Sequence, residues 1–476
     1  EIRNIPDNID YRMLVFNARS AIGKQSVLGE LPSDKVLFAD TLRMAWPAIV
    51  ESFLSALISL VDTVMVSALG SYAIAAVGLT SQPRFLCLTV FFSISIAVSA
   101  LTARRKGEGN RDEANRVLVQ SLVITFFLSA AVTVLAFVFT EPILRFAGSQ
   151  KDTHDYSTEY FRIIIASLAL QAFTFVVNAA QRGAGNTKIA MKTNLLSNGV
   201  NIVFNFLLIE GHFGFPALGV KGAAIASVIG FGAGFVLSAA SVLKPQGYLF
   251  LFYRNNSLRF DSRILSGLYK VGSGALIEQA FLRIGFFLYA IVVANLGTAA
   301  FAAHQIGMNI LSISFAIGDG LSVAGVALVG QSLGKKRADL AKIYASFCRR
   351  MGLLCSLCIA LIYSTLGRDI YRIFSSDAEI LSYGSIIMKI VAVTVVLQVA
   401  QVINLGCLRG AGDTRYTAVV SLISVAIIRP LSGWLLVYPL HFGLTGAWLG
   451  LLLDQFVRFF LTWLRFRSGK WQKIEI

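Results

Sequence analysis

Long apolar runs, each of 20 or more residues and parted by short polar segments, recur from residue 43 to residue 464. Each is long enough to cross a hydrocarbon core of about 30 Å as a helix. None alternates polar with apolar at a period of two, as the shorter strands of a membrane barrel would. The pattern predicts an all-α membrane protein of about twelve spans. They fall near 43–68, 74–103, 116–140, 158–180, 188–210, 217–243, 266–296, 299–330, 340–366, 380–408, 415–439 and 443–464. Residues 1–35 lack the basic-then-apolar order of a cleavable signal peptide. They read as a tail with a short amphipathic piece around Asp10 to Ile22.

Composition agrees: 56% of residues are hydrophobic and 14% charged, against about 25% charged in soluble domains. The formal charge of +16 does not point to nucleic acid, because Lys and Arg gather in alternate loops. Arg104, Arg105, Lys106 and Arg111 form one group, Arg182, Lys188 and Lys192 a second, and Lys335, Lys336 and Arg337 another. By the positive-inside rule those loops are cytoplasmic, which places both termini inside, at the inner or plasma membrane. Cys355 and Cys358 form a C-x-x-C within a span, without His or Cys partners at zinc spacing. The five cysteines therefore read as small packing residues, and no cofactor is expected.

An internal repeat organises the chain. Leu69-Gly70-Ser71-Tyr72-Ala73-Ile74-Ala75-Ala76 matches Leu296-Gly297-Thr298-Ala299-Ala300-Phe301-Ala302-Ala303 at an offset of 227 residues. Arg182-Gly183-Ala184-Gly185-Asn186-Thr187 matches Arg409-Gly410-Ala411-Gly412-Asp413-Thr414 at the same offset. A common offset in two unrelated words implies duplication. Six spans per half enter the membrane in the same orientation, so the halves are parallel repeats with a central site between or within them. The expected division is a cytoplasmic tail at 1–35, an N-lobe at 36–244, a linker at 245–262, a C-lobe at 263–470 and a C-terminal tail at 471–476. No G-x-x-x-x-G-K-[ST] loop is present to bind ATP, which leaves an ion gradient as the energy source.

The words in order resemble the multidrug and toxic compound extrusion (MATE) family. They are the Pro47 segment leading into Val61-Asp62, the L-G-S-x-A-I-A-A word and R-G-A-G-N-T. Gly219 to Ala226, Val329 to Gly334 and L-R-G-A-G-D-T complete the series. The resemblance covers about residues 36 to 470. Asp319-Gly320-Leu321-Ser322 and Ala302-Ala303-His304-Gln305-Ile306 look most like the DinF branch. The resemblance implies twelve helices in two six-helix lobes around a V-shaped cavity, and export in exchange for H+ or Na+.

A carboxylate inside a span costs of order 3 kcal/mol on insertion scales, so each is read first as functional or paired. Asp62 has no basic residue within four positions, and desolvation there brings protonation within reach of neutral pH. By resemblance it matches the family's N-lobe aspartate, and Asn178, Asn201 and Asn205 join it as a proton or Na+ site. Spacing independently puts Asn201 and Asn205 on one helix face. Where some relatives carry a second aspartate, this chain has Asn205.

In the C-lobe, Glu278 looks like the family's coupling glutamate, with Asp319, Arg283 and His304 as further coupling or substrate candidates. A self-neutralised Glu278/Arg283/Asp319 cluster is the structural alternative, and His304 also reads as a packing or gating residue. Asp454 and Arg458, spaced i,i+4, are expected to pair. Pro47 and Glu51 are candidates for gating through a helix bend. Glu51 and Asp62 share a face, but about 16 Å of helix separates them, too far for one cation. At the 227 offset Glu51 falls on Glu278, whereas Asp62 falls on Tyr289.

The expected activity is antiport by a chain that is not an enzyme and acts as a monomer among membrane lipids. Its cargo is an amphipathic organic solute, cationic in the first instance, and 35 Phe offer stacking walls for such cations. Arg84, Arg283 and Arg429 support two alternatives, an exporter of organic anions such as citrate and a flippase of a lipid-linked precursor. A receptor on an exporter scaffold would keep the fold and transport nothing.

Overall fold

In the computed structural model the described residues are 16–22, 27–67, 69–149, 153–253 and 261–476. The amphipathic piece before Phe16 and the linker residues 254–260 lie outside them. Among the described residues the secondary structure is helical. The first half holds α1 (Ala18–Ile22), α2 (Asp34–Ser67), α3 (Ser71–Gly107), α4 (Arg111–Val138) and α5 (Thr140–Phe146). It continues with α6 (His154–Ala166), α7 (Leu168–Gly183), α8 (Thr187–Leu208) and α9 (Gly219–Val242). The second half holds α10 (Ser262–Ala294), α11 (Thr298–Gly334), α12 (Ala338–Phe374), α13 (Ala378–Gly410), α14 (Thr414–Ser421), α15 (Arg429–Val437) and α16 (Gly443–Ser468).

Ten described helices, counting Thr414–Val437 as one, are long and apolar enough to cross a membrane. The pair α6 and α7 makes an eleventh span, bent by 46°. The single span expected at 158–180 is thus broken. At the break the Ser167 hydroxyl donates to the Ile164 carbonyl at 2.7 Å, competing with the helical ladder. The twelfth span is α8, whose 22 residues reach about 33 Å. Lys188, Lys192, Asn194, Asn198, Asn201 and Asn205 lower its hydropathy. The most polar span is the one that carries the predicted amides.

The repeat is visible in the backbone. Gly70 and Gly297 open α3 and α11 at φ 108° and 101°, and Gly185 and Gly412 follow α7 and α13 at 84° and 86°. A Cβ is strained at such angles, which explains why both words keep glycine there. The span Thr414–Val437, next to last, departs from a regular helix: Leu422–Ile428 forms a π-helical turn ahead of α15. Pro430, just inside α15, supplies no N–H to the ladder.

The halves pack against each other most tightly at the end where the basic turns cluster. A Cβ on Gly107 would lie 2.0 Å from the Gln331 carbonyl, and one on Gly334 2.2 Å from the Arg104 carbonyl. Backbones meet here because no side chain intervenes. Contact continues along α3 and α10 from Leu101 and Gly267 to the Arg283 guanidinium, which sits 5.0 Å from the centre of the Phe85 ring. Residues 471–476 strap this end: Trp471 is fully buried, Arg104 donates to the Ile474 carbonyl at 2.6 Å and Lys270 to that of Glu475 at 2.7 Å. Phe16 packs on Phe38 and Phe347, so part of the N-terminal segment is seated on α2 and α12.

Candidate functional site

Three polar centres lie within the helix bundle, and sequence reasoning reached parts of each. The first is inside the N-terminal half. Asp62, five residues before the end of α2, accepts a hydrogen bond from Asn205 Nδ2 at 2.9 Å. The Asn201 carboxamide takes its orientation from its neighbours. Its oxygen accepts from the Ser227 backbone N–H at 3.2 Å, which turns its nitrogen to Asp62 Oδ1 at 2.8 Å. Asn201 and Asn205 thus act together, four residues apart on α8. They line a cavity of about 360 Å³ with Asp62, Arg84, Tyr160, Ser227 and Phe231.

Asn178 does not belong to this centre. It is buried between α7 and α9, where Ser238 Oγ donates to its Oδ1 at 3.3 Å. On the same helix Gln171, two turns away, reaches the site by accepting from Arg84 Nη2 at 2.9 Å. Seven residues along a helix is about 10 Å, so Asn178 sits too deep. Of the four residues grouped by resemblance as a proton or Na+ site, the structure brings Asp62, Asn201 and Asn205 together and leaves Asn178 apart. Both amides turn N–H groups toward the acid, an arrangement suited to a carboxylate.

The second centre lies where the halves meet, around a cavity of about 390 Å³ lined by Glu51, Arg182, Asn194, Asp319, Arg409 and Gln279 among others. Arg182 pairs with Glu51 at 3.5 Å, and Asn194 Nδ2 donates to the same carboxylate. In the other half Glu278, with no exposed surface, accepts from Arg409 at 2.5 Å and from Thr417 Oγ1 at 2.6 Å. The two pairs are equivalent at the 227 offset.

The expected Glu278/Arg283/Asp319 cluster is not formed. Five residues past Glu278, the Arg283 side chain points about 140° round the helix, to Phe85 of the other half. Asp319 instead accepts from Ser52 Oγ at 2.9 Å, a bond that crosses between the halves. Pro47 is buried one turn before Glu51, within the continuous helix α2.

The third centre is in the C-terminal half and is closed by its own charges. Asp454 is fully buried and accepts from Arg429 Nη2 at 2.6 Å and Nε at 3.0 Å. Arg458 donates to it at 3.2 Å, as the i,i+4 spacing predicts. His304 is buried here between the rings of Tyr289 and Trp448, at 5.7 and 5.4 Å. Sequence reasoning missed Arg182 and Arg409 as partners of the two glutamates. The signal was present, since both open the repeated R-G-A-G word.

Twelve spans, duplicated in parallel and holding acids within and between their halves, define a carrier of the two-lobe class. Comparison with known proteins gives the family. The MatE family model matches residues 47–207 and again 275–435, two copies whose spacing reproduces the internal repeat to within a residue. The chain belongs to this family of multi-pass membrane transporters and is not an enzyme. It is 28% identical over 448 residues to the "Probable multidrug resistance protein NorM" of Thermotoga maritima, covering 93% of this chain and 95% of that one. It is 26% identical over 462 residues to the "Uncharacterized transporter YisQ" of Bacillus subtilis, covering 95% and 98%. Among solved structures, "Outward-facing conformation of a multidrug resistance MATE family transporter of the MOP superfamily" superposes with a TM-score of 0.85 at 20% identity, over 91% of this chain and 97% of that one. A MOP superfamily transporter from Pyrococcus furiosus superposes at 0.84, also at 20% identity and with the same coverage.

Proposed function

We propose that this protein is a monomeric secondary antiporter that exports amphipathic organic solutes bearing a cationic nitrogen, driven by protons entering at Asp62. The observation that carries the reading is the Asp62 carboxylate held by two carboxamides on the wall of the 360 Å³ cavity. A cationic nitrogen and a proton compete for one carboxylate, and that mutual exclusion makes exchange obligatory. The Arg84 guanidinium on the same wall disfavours a bound Na+ and leaves H+ as the coupling ion. The names of the relatives, multidrug resistance proteins among them, support an organic drug as cargo.

With the basic loops in the cytoplasm, both termini lie inside and the tightly packed end is the cytoplasmic gate. The structure then represents the state whose cavities face outward, and the plasma (inner) membrane is the site of action. Inward opening requires the Ser52–Asp319 bond and the Gly107–Gln331 contact to part.

The test is dye efflux from proteoliposomes under an imposed pH gradient or an imposed Na+ gradient. Wild type is expected to respond to the pH gradient alone, and Asp62→Asn to lose that response. Undiminished gradient-driven transport by Asp62→Asn would end the proposal.

A further inference from the structure

The N-lobe cavity contains a charge that proton exchange does not use. Arg84, from the middle of α3, shares the lining with Asp62. Neither group forms an ion pair with the other or with any other described residue. One Arg84 nitrogen donates to Gln171 Oε1 at 2.9 Å, and the guanidinium lies 5.2 Å from the centre of the Phe231 ring. Its Nε is buried without a partner. The remaining donors of a five-donor fork are therefore free for a ligand.

The other lobe arranges its buried charges differently. At the 227 offset Ser227 and Phe231, two residues of the N-lobe cavity wall, become Asp454 and Arg458. There acid and base touch, at 2.6 Å to Arg429 and 3.2 Å to Arg458. Opposite charges buried together gain by contact. In the N-lobe they stand apart across an open cavity, which is what two ends of a bound molecule require.

We infer that Arg84 is a specificity-determining residue, which receives a carboxylate of the substrate while Asp62 receives its cationic nitrogen. The favoured substrate class is amphoteric: a flat apolar ring system carrying one basic nitrogen and one carboxylate. Phe231 supplies the stacking face beneath the guanidinium. A guanidinium matches a carboxylate with two parallel N–H donors, whereas a monocation is repelled by it. The inference rests on Asp62 as the acid displaced by protonation, since that step expels the nitrogen end and leaves the carboxylate end to set affinity.

A matched dye pair tests it. Rhodamine 110 has a free carboxylate and is amphoteric, and rhodamine 123 is its methyl ester, a cation of nearly the same shape. Binding to the full-length protein in nanodiscs is read by fluorescence anisotropy. Wild type is expected to prefer rhodamine 110 by about tenfold or more, the scale of one charge-assisted bidentate contact. Arg84→Gln should bring the ratio to about one or invert it, and Arg84→Lys, which keeps the charge but not the fork, should fall between. Equal binding of both dyes by wild type overturns the inference and needs no variant. So does an Arg84→Gln protein that weakens both dyes to the same extent, because a packing role would do that. Efflux by Asp62→Asn under a pH gradient is measured alongside. If it persists, the coupling role of Asp62 fails, while the dye ratio still decides Arg84.

Discussion

Replacing Asp454 by Asn removes one charge from a site with no solvent-exposed surface and leaves Arg429 and Arg458 facing each other. Breaking a buried ion pair by deleting one partner costs about 3–5 kcal/mol, because the survivor stays buried without compensation. With about 2.1 cal/mol/K of unfolding entropy per residue, the 476-residue chain has about 1 kcal/mol/K, so a loss of about 4 kcal/mol lowers the melting temperature by about 4 °C. A bundle that keeps its helices on melting has a smaller entropy, which makes the shift larger. Asp62→Asn is the contrasting case, because Asp62 is half-buried beside a cavity and held by amides rather than by charges. Its expected shift is within about 1 °C, near the scale of a surface change.

The assay is thermal denaturation of detergent-purified protein, followed by the fraction that stays monodisperse on size-exclusion chromatography. The triple change Asp454→Leu, Arg429→Met, Arg458→Leu should recover most of the loss, as charge-free replacements of buried pairs do. An Asp454→Asn protein melting within about 1 °C of wild type, or an Asp62→Asn protein falling as far, refutes the division into structural and functional acids.

The remaining predictions concern the halves and their movement. In a double-mutant cycle Glu278 and Arg409 should couple by about 3 kcal/mol, against about 1 kcal/mol for Glu51 and Arg182. The second pair is longer, at 3.5 Å against 2.5 Å, and its glutamate is 8% exposed where Glu278 is fully buried. A Cβ at Gly272 lies 3.7 Å from that of Ala97 across the two halves, close to disulfide spacing. Ala97→Cys with Gly272→Cys, in a background without the five native cysteines, should cross-link under oxidant and stop transport until reduced; free transport when cross-linked would show that these helices do not part. Gly107→Ala places a methyl 2.0 Å from the Gln331 carbonyl, so this end cannot close. Labelling of a Ser99→Cys reporter from the basic side should rise, and unchanged labelling would count against that end as the gate.

The spans and the duplication were legible because both are written at long wavelength, in runs of 20 residues and an offset of 227. The break at Ser167 and the π-helical turn before Arg429 were not, since each depends on one residue withdrawing from the ladder inside an apolar run. Sites were legible only as far as one helix reaches. Asn201 and Asn205 were placed together correctly because four residues on a helix fix a common face. Asn178, joined to Asp62 by resemblance, and Arg283, set with Glu278 and Asp319 in the structural alternative, meet other partners, because nothing in local spacing says which neighbouring helix a side chain will meet.

The offset of 227 relates residues that local spacing does not. Glu51 with Arg182 and Glu278 with Arg409 are the same device twice, each joining the first helix of a half to the end of its fourth span beside the interface. Two identical anchors serve architecture, since in each a carboxylate on the first helix is held by the arginine that ends the fourth span. Asp62 is replaced by Tyr289 in the second copy, and the acid of that copy stands instead on the sixth helix as Asp454, clamped by two arginines. One half holds its acid outside any ion pair beside a cavity, and the other holds its acid clamped and fully buried. Under the proposed proton coupling such a pair of lobes needs only one of them to titrate: a proton at Asp62 would decide which state the N-lobe prefers, and the C-lobe would supply the rigid body against which that preference becomes movement.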